Sequence, residues 1–360
     1  MRACSSIGAA VAVLATVGAA SAQVKPDTAG IETQQIEVRA HAIESFAKSG
    51  AGPTVSPRLQ WRGGLELSSP STHFGGWSGL ALGPDGKSLV AVSDSGIWMT
   101  GELAYDGRRP KGIVSARIGA LRNLKGAPLA KPRERDAEAI TLASGTPATG
   151  TAYIAFEQAD RIGVFQLDED GLGRPSSYMD MPKEAARMRM DGIEALTVLA
   201  GGPHKGALIA FAENPPRGEK VHRGWIWISG KPKGFTVPDI GGFSITDAAS
   251  LADGSVLIVE RRFRWTEGLK VRLRLLEADS IAPAGTAKGE VLLAADNASA
   301  EIDNLEALAV SRGEDGETVV TVMSDDNFNR FLQRTVLLQF TLKDEPATEA
   351  AVKETESVRK

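Results

Sequence analysis

The sequence has almost no cysteine, since Cys4 is the single one among 360 residues. It precedes an apolar run from Ile7 to Ala20, which ends in the small residues Ala20-Ser21-Ala22. An early basic residue, a short apolar run and a small-x-small ending are typical of a secretory signal peptide. We therefore expect residues 1–22 to be cleaved after Ala22, and the mature protein to be periplasmic or secreted. The mature chain then has no thiol, which excludes disulfides and cysteine-ligated metals.

Long hydrophobic runs and basic stretches are also missing. The N-terminal apolar run is shorter than the ~20 residues that span a bilayer, and no later stretch is apolar enough, so we expect no membrane span. The chain has 41 basic and 45 acidic residues and a formal net charge of −4. Because binding of nucleic acid requires a basic surface, we exclude nucleic acid as a partner. We expect a monomer that acts on a small molecule.

Amphipathic helical patterns are scarce, whereas an acidic-small-apolar motif recurs along the chain. It occurs as RDAEAIT (135–141), DGIEALT (191–197), DAASLA (247–252) and DNLEALA (303–309), and GWSGLAL (76–82) is a related copy without acids. The apolar residues that close the copies are 60, 56, 55 and 57 residues apart, and they are Leu80, Ile140, Leu196, Leu251 and Leu308. Two copies lack the glutamate, and we expect the neutral residues Ser78 and Ser250 to occupy its place.

Each motif is followed by a turn rich in glycine and by further short apolar strands. Such a period predicts an all-β fold, a β-propeller with about five four-stranded blades, because a ring of sheets buries every sheet face against a neighbour. Six blades are the alternative, since two N-terminal segments, 34–46 and 59–67, could complete the last blade or belong to a sixth. In either case we expect the two chain ends to pair in one blade. The propeller would span 35–342, between a flexible leader (23–34) and a disordered tail (343–360).

The recurring acids are predicted to gather at one end of the propeller axis. The start of the innermost strand and the end of the antiparallel second strand lie at the same face of the disc. The motif acids are Asp136, Glu138, Asp191, Glu194, Asp247, Asp303 and Glu306. The acids that end the second strands are Asp94, Glu157, Glu213, Glu260 and Asp325.

Two interpretations of these acids stay open. Clustered carboxylates repel one another by about 4 kcal/mol for two charges 4 Å apart at an effective dielectric constant of 20, and a cation would relieve this repulsion. Oxygen ligands without cysteine favour Ca²⁺, and less specifically Mg²⁺ or Mn²⁺. Alternatively, the carboxylates accept backbone N–H bonds and pin neighbouring blades. The candidate metal ligands are Asp94, Asp136, Glu138, Glu194, Glu213, Asp303, Glu306 and Asp325.

Basic and aromatic residues are the remaining candidates. Arginines near the acids in the sequence could bind a phosphate or carboxylate of a substrate through bidentate contacts, or they could serve as counter-ions of the acids. They are Arg135, Arg261, Arg262 and Arg330. Trp225, Trp227 and Trp265 are expected to pack between blades, and no residue is assigned a catalytic role.

The segments GWSGLALGPDGKSLVAVSDSG, RDAEAIT, DGIEALT and DNLEALAV…SDDNFN resemble the family described as "esterase-like activity of phytase", over about residues 58–342. The resemblance implies a β-propeller that is often exported by bacteria, and it suggests hydrolysis of phosphoesters or esters. The β-propeller phytases use calcium clusters with basic residues around phosphate, but no set of catalytic residues carries over to this sequence.

The leading hypothesis from the sequence is therefore an exported, metal-dependent hydrolase of a phosphoester or another ester. A non-catalytic propeller that binds an envelope component, a peptide or a glycan is the first alternative. A lactonase-like metal-dependent hydrolase is the second. Substrate panels with calcium and with chelator would discriminate these hypotheses.

Overall fold

The computed structural model describes residues 26, 28, 30–48, 50, 52–158, 161–182 and 192–343. These residues form five antiparallel sheets that surround a common axis as the blades of a β-propeller. One short helix, Pro132–Arg135, and one 3-10 turn, Ala278–Ser280, lie in connections. The expected signal peptide, the motif acid Asp191 and nearly all of the expected tail lie outside the described residues. No helix in the described part of the chain is long and apolar enough to cross a membrane.

Four strands precede the first motif: β1 (Gln34–Gln35), β2 (Arg39–Ile43), β3 (Thr54–Val55) and β4 (Leu59–Ser68). From the axis outwards, blade 1 contains β5 (Trp77–Leu82), β6 (Ser88–Ser93), β7 (Ile97–Asp106) and β8 (Arg109–Ala120), followed by β1. Blade 2 contains β9 (Ala137–Gly145), β10 (Gly150–Phe156), β11 (Arg161–Asp168) and β12 (Gly171–Tyr178). Blade 3 contains β13 (Ile193–Val198), β14 (Leu208–Ala212), β15 (Val221–Ile228) and β16 (Lys231–Pro238).

Blade 4 contains β17 (Ser244–Ser250), β18 (Val256–Arg264), β19 (Gly268–Leu276) and β20 (Gly289–Asp296), followed by β3. Blade 5 contains β21 (Leu305–Arg312), β22 (Thr318–Ser324) and β23 (Thr335–Leu342), followed by β4 and β2. The N-terminal β4 pairs antiparallel with the C-terminal β23, from Leu59 opposite Leu342 to Leu67 opposite Thr335. The prediction of five blades, closed by pairing of the two chain ends, is therefore confirmed.

Apolar side chains fill the spaces between neighbouring blades. One cluster joins Leu257 and Val259 of blade 4 to Val320 and Val322 of blade 5. Burial of such surface contributes roughly 25 cal/mol per Å² to the free energy of unfolding, so each blade is stabilised by the blade beside it. Trp225 and Trp227 are buried as predicted, but the prediction for Trp265 is wrong, since this side chain is 94% exposed at the tip of the β18–β19 hairpin.

The inner strands approach one another at backbone distance. A Cβ atom built on Gly79 of β5 would lie 2.7 Å from the backbone nitrogen of Ile140 in β9. Real Cβ atoms do not come so close to a backbone atom, so a glycine is required at this position. Alanines occupy the equivalent position in three other inner strands and are fully buried: Ala139, Ala195 and Ala307.

A β-bulge follows the first residue of the inner strand in blades 1, 2, 3 and 5, and the second residue in blade 4. The ladders between first and second strands each skip one residue there. The skipped residues are Ser78, Glu138, Glu194, Thr246 and Glu306. This register corrects the sequence alignment of the fourth copy, in which Thr246 and not Ser250 is the counterpart of the glutamates. The counterpart of Leu80 is Ala248 and not Leu251, because DAASLA resembles the motif in composition but lies three residues further along the strand.

The carboxylate of Asp247 fixes blade 4 to blade 5. It is buried, and its Oδ1 and Oδ2 accept hydrogen bonds from the backbone N–H groups of Ala248 at 2.8 Å and Leu308 at 2.6 Å. Burial raises the pKa of Asp247 well above its usual value, while the two N–H donors oppose this rise. Asp247 thus performs the blade-pinning role that the sequence left open for the recurring acids.

Asp247→Ala should lower the free energy of unfolding by about 1–3 kcal/mol, because the buried N–H of Leu308 loses its acceptor. Urea unfolding of the variant and of the parent protein measures the difference. Asp253→Ala is the matched control, since that carboxylate bonds only within one hairpin turn, to the N–H of Ser255 at 2.9 Å and to its hydroxyl. Equal losses in the two variants would contradict the pinning role.

Candidate functional site

Glutamates on the inner-strand bulges meet acids from the second strands at one mouth of the central channel. The bulges carry Glu138, Glu194 and Glu306 on blades 2, 3 and 5. The residue directly after the paired end of each second strand lies at the same level of the disc. This residue is Asp94 in blade 1, Glu157 in blade 2, Glu213 in blade 3 and Asp325 in blade 5. With Asp136, these residues form what we call the acidic mouth.

Blade 4 departs from this pattern at both positions. Thr246 replaces the bulge glutamate, and its hydroxyl donates to the backbone carbonyl of Leu305 at 3.0 Å. The register places Arg261 where the other blades have a second-strand acid, because Glu260 pairs with Ile245 one position earlier. The acidic mouth therefore has one positively charged side.

The expectation that Glu260 joins the mouth is wrong. Its carboxylate is fully buried inside blade 4, 2.8 Å from the guanidinium of Arg272 and 2.7 Å from that of Arg274. A buried charge must be paired in this way to remain in an apolar interior. Glu260 thus belongs to the ion pairs that connect β18 and β19.

Carboxylate oxygens of blades 2 and 3 lie close enough to share a cation. One group of ligand atoms, all within 4.8 Å of one another, comes from Asp136, Glu138 and Glu157, and a second comes from Glu157, Glu194 and Glu213. Calcium binds oxygens at 2.3–2.6 Å, so opposite ligands of one calcium ion lie about 4.8 Å apart. The oxygen-only donor set and its spacing thus fit a hard cation.

Burial and mutual repulsion shift the protonation of this cluster. Burial is the main cause that raises the pKa of Glu138 well above its usual value, and the charges of Asp136 and Asp94 add to it. Burial likewise raises the pKa of Glu194, helped by the charges of Glu138 and Glu213. The cluster must therefore hold protons or be neutralised by positive charge.

Blade 5 continues the same electrostatic cluster. The pKa of Asp325 is raised well above its usual value, first by burial and then by the charges of Glu306 and Asp94. The nearby charges of Glu306, Glu213, Glu194 and Asp325 in turn raise the pKa of Arg261, against the opposing effect of burial. Seven of the eight predicted ligand residues are thus brought together.

Neutral amides border several of these acids. The Nε2 of Gln158 donates to Asp136 at 2.5 Å, the Nδ2 of Asn214 to Glu213 at 2.8 Å, and the Nδ2 of Asn304 to Glu306 at 2.8 Å. These bonds orient the carboxylates without neutralising them. Each amide also presents a carbonyl oxygen, and that of Asn304 accepts from Arg261 at 2.7 Å.

Asp303, the eighth predicted ligand, is held differently. Its two oxygens accept the backbone N–H groups of Asn304 at 2.9 Å and Arg334 at 3.0 Å. Burial raises its pKa, and these donors oppose the rise. Asp303 stabilises the connection into β21 and belongs to neither of the two oxygen groups described above.

The four predicted arginines have different surroundings. Arg261 faces the mouth, with its Nη2 3.1 Å from Glu306 and 3.8 Å from Glu213. The other three donate to loops: Arg135 to the carbonyls of Leu129 and Ala130, Arg262 to Gly241 and to the carboxylate of Glu267, and Arg330 to Ser69, Ser71 and Phe74. Arg261 thus contacts acids of the mouth from blades 3 and 5 directly.

The set of predicted ligands omitted Glu157, although its carboxylate belongs to both groups of converging oxygens. The sequence contained the signal, since Glu157 ends the second strand of blade 2 just as Glu213 ends that of blade 3. That Glu157 belongs to both oxygen groups follows from the packing of blade 2 against blade 3, which the sequence does not show.

Comparison with known protein families gives a match over most of the propeller. A family model described as "Phytase-like: Esterase-like activity of phytase" matches residues 72–328. The matched segment starts just before β5 and ends after β22, so it includes every residue of the acidic mouth. A search of curated proteins found no match.

The free energy of unfolding of the metal-free protein should fall as the pH rises above about 4.5, the ordinary glutamate value. Glu138, Glu194 and Asp325 have folded pKa values above their unfolded ones, so their stabilising effect is complete at low pH and is lost as they ionise. Glu194→Gln should therefore melt roughly 2–4 °C above the parent protein at pH 8, and close to it at pH 5, in chelator. Glu102→Gln, on β7, is the control, and identical pH dependence in both variants would contradict the repulsion.

Proposed function

The chain belongs to the phytase-like family, and from this membership we propose that it is a metal-dependent hydrolase that cleaves a phosphoester or another ester. One observation supports the proposal, namely the convergence of five carboxylates from blades 2 and 3, in two groups that share Glu157, beside the guanidinium of Arg261, which lies 3.8 Å from Glu213. The N-terminal residues 1–22 support export, because their sequence is that of a cleavable signal peptide. The propeller would thus act outside the cytoplasm, where calcium is abundant.

The residues that would hold the metal are Asp136, Glu138 and Glu157, or Glu157, Glu194 and Glu213. Calcium suits this site best, because the carboxylates are hard oxygen ligands and several of them converge. A cation bound there would polarise the ester oxygen and lower the pKa of a bound water, which supplies the nucleophile at neutral pH. It would also relieve the repulsion that raises the pKa values of Glu138 and Glu194.

Arg261 would bind the oxygen on which negative charge develops. Its guanidinium is held by Glu306 at 3.1 Å and by the side-chain carbonyl of Asn304 at 2.7 Å, so its direction is fixed before a substrate enters. The side chain is 32% exposed, which leaves donors accessible from the mouth. A fixed, charged donor stabilises an anionic transition state more than a mobile one, because no reorganisation is needed during the reaction.

The proposal is tested with a panel of a phosphomonoester, a phosphodiester, a carboxylester and a lactone, each with calcium and with chelator. Hydrolysis of at least one substrate should require calcium. Calcium should also raise the melting temperature, since a ligand at 100 times its Kd adds about 2.7 kcal/mol to the free energy of unfolding. A calcium-dependent melting shift without any turnover would favour the non-catalytic binding propeller, and turnover of the lactone alone would favour a lactonase.

Glu157→Gln should abolish the calcium-dependent melting shift and lower kcat/KM by about 100-fold or more, because both oxygen groups lose their shared member. Glu102→Gln, a carboxylate-to-amide change on the outer part of blade 1, serves as the control and should change neither quantity. The proposal fails if Glu157→Gln and Glu194→Gln both retain calcium affinity and turnover.

A further inference from the structure

Four large apolar side chains stand in solvent at two tips of the propeller. Trp265 is 94% and Phe263 59% exposed in the β18–β19 hairpin, which we call the aromatic hairpin. Phe331 is 93% and Leu332 72% exposed in the connection between β22 and β23, which we call the apolar turn. Clustered exposed apolar groups of this size mark interaction surfaces on soluble proteins.

Both tips rise from the face of the disc that carries the acidic mouth. In blade 4 the inner strand starts at Ser244, opposite Arg261, and the aromatic hairpin continues β18 beyond that level. In blade 5 the inner strand starts opposite Ser324, and the apolar turn follows from there. Since the inner strands of blades 4 and 5 are neighbours, the two tips flank the same side of the mouth.

Specific contacts fix the backbone of both tips. The rings of Phe263 and Trp265 pack edge to face, with centroids 5.7 Å apart, on a ladder that pairs as far as Arg264 and Gly268. In the apolar turn, Asp326 accepts the N–H of Phe328 at 3.0 Å. Its Arg330 donates to the carbonyls of Phe74 at 2.7 Å and Ser71 at 3.0 Å. These contacts keep the apolar side chains exposed to solvent, where they contribute no burial energy to the stability of the isolated protein.

The aromatic hairpin is positively charged. Glu267 accepts from Arg262 at 2.6 Å, from Arg264 at 3.0 Å and from Lys270 at 2.8 Å, so three cations surround one carboxylate. The strand rises about 3.3 Å per residue, which places Trp265 roughly 13 Å beyond Arg261. Of the three cations, Arg264 lies about 10 Å beyond Arg261 on the same scale, which exceeds the ~8 Å screening length at physiological salt, so salt weakens the effect of the mouth acids on the outermost positive charge of the tip.

We propose that the aromatic hairpin and the apolar turn dock the mouth face of the propeller on an anionic lipid surface. Tryptophan is enriched at the level of the lipid headgroups, phenylalanine and leucine insert at the boundary with the acyl chains, and basic residues beside them are attracted to anionic lipids. The protruding shape of the tips fits insertion into a surface better than enclosure of a small molecule. This docking is independent of hydrolysis, and it would orient the mouth towards the lipid.

Vesicle binding followed by tryptophan fluorescence tests the proposal directly. Trp265 is the exposed fluorophore, whereas Trp77, Trp98, Trp225 and Trp227 are buried and Trp61 is partly buried against the core, so insertion should shift the emission to the blue. The shift should appear with vesicles of phosphatidylcholine containing one third phosphatidylglycerol and weaken in high salt. It should disappear in Trp265→Phe, which keeps an aromatic ring at the tip.

The double variant Trp265→Ser with Phe331→Ser should lower the partition coefficient into these vesicles by about tenfold or more, given the area of two aromatic side chains. The matched control is Val114→Ser with Val291→Ser, which removes exposed apolar groups from the outer strands β8 and β20 and should bind as the parent protein does. Three results would each overturn the proposal: no partitioning of the parent protein, equal partitioning of both double variants, or a blue shift produced equally by a soluble short-chain amphiphile.

Discussion

The propeller depends on the closeness of its five inner strands. A methyl group at Gly79 would collide with the backbone of the next blade, and the equivalent alanines are fully buried. At Gly79 and the equivalent alanines the strands admit only small side chains, and the glutamates occupy the preceding position, on the bulge. The same crowding that requires small residues along the channel therefore concentrates the glutamates at one of its ends.

Blade 4 makes the charge distribution around the mouth asymmetric. It replaces the two acids of the pattern with Thr246 and Arg261, and its own carboxylates face inwards, Asp247 towards blade 5 and Glu260 towards two arginines. Arg261 thus places a positive group beside the acids of the two neighbouring blades, 3.8 Å from Glu213 and 3.1 Å from Glu306. A ring of five identical blades would offer a uniformly negative opening, whereas this one combines its acids with the positive group of Arg261 at blade 4.

Much of this architecture could be predicted from the sequence, because regular motif spacing and short apolar strands determine the number and closure of blades. The strand register within a blade could not be predicted from the sequence. Asp247 and Glu260 are acids near the expected positions, but each lies one residue away from the position that faces the mouth in the other blades. The arginines were equally ambiguous. Arg330 bonds to Phe74, 256 residues away, and only the folded ring shows which cations face acids and which face carbonyls. The prediction for Trp265 failed for a similar reason, because tryptophan is usually largely buried, and the sequence does not show that this one lies beyond the end of β18 in a hairpin tip.

Blade 5 contains strands from both ends of the chain, and this limits the order in which the propeller can fold. β4 is made near the start of synthesis, yet its partner β23 comes almost last, with Leu59 opposite Leu342. Until the final strand arrives, the inner edge of β4 has no ladder to join, and four completed blades form an open arc. Pairings between such distant segments form slowly, and unpaired edges invite contacts with other chains. The ring is consequently completed only after β23 has been synthesised, and the open arc is the stage at which unpaired strand edges are most exposed to other chains.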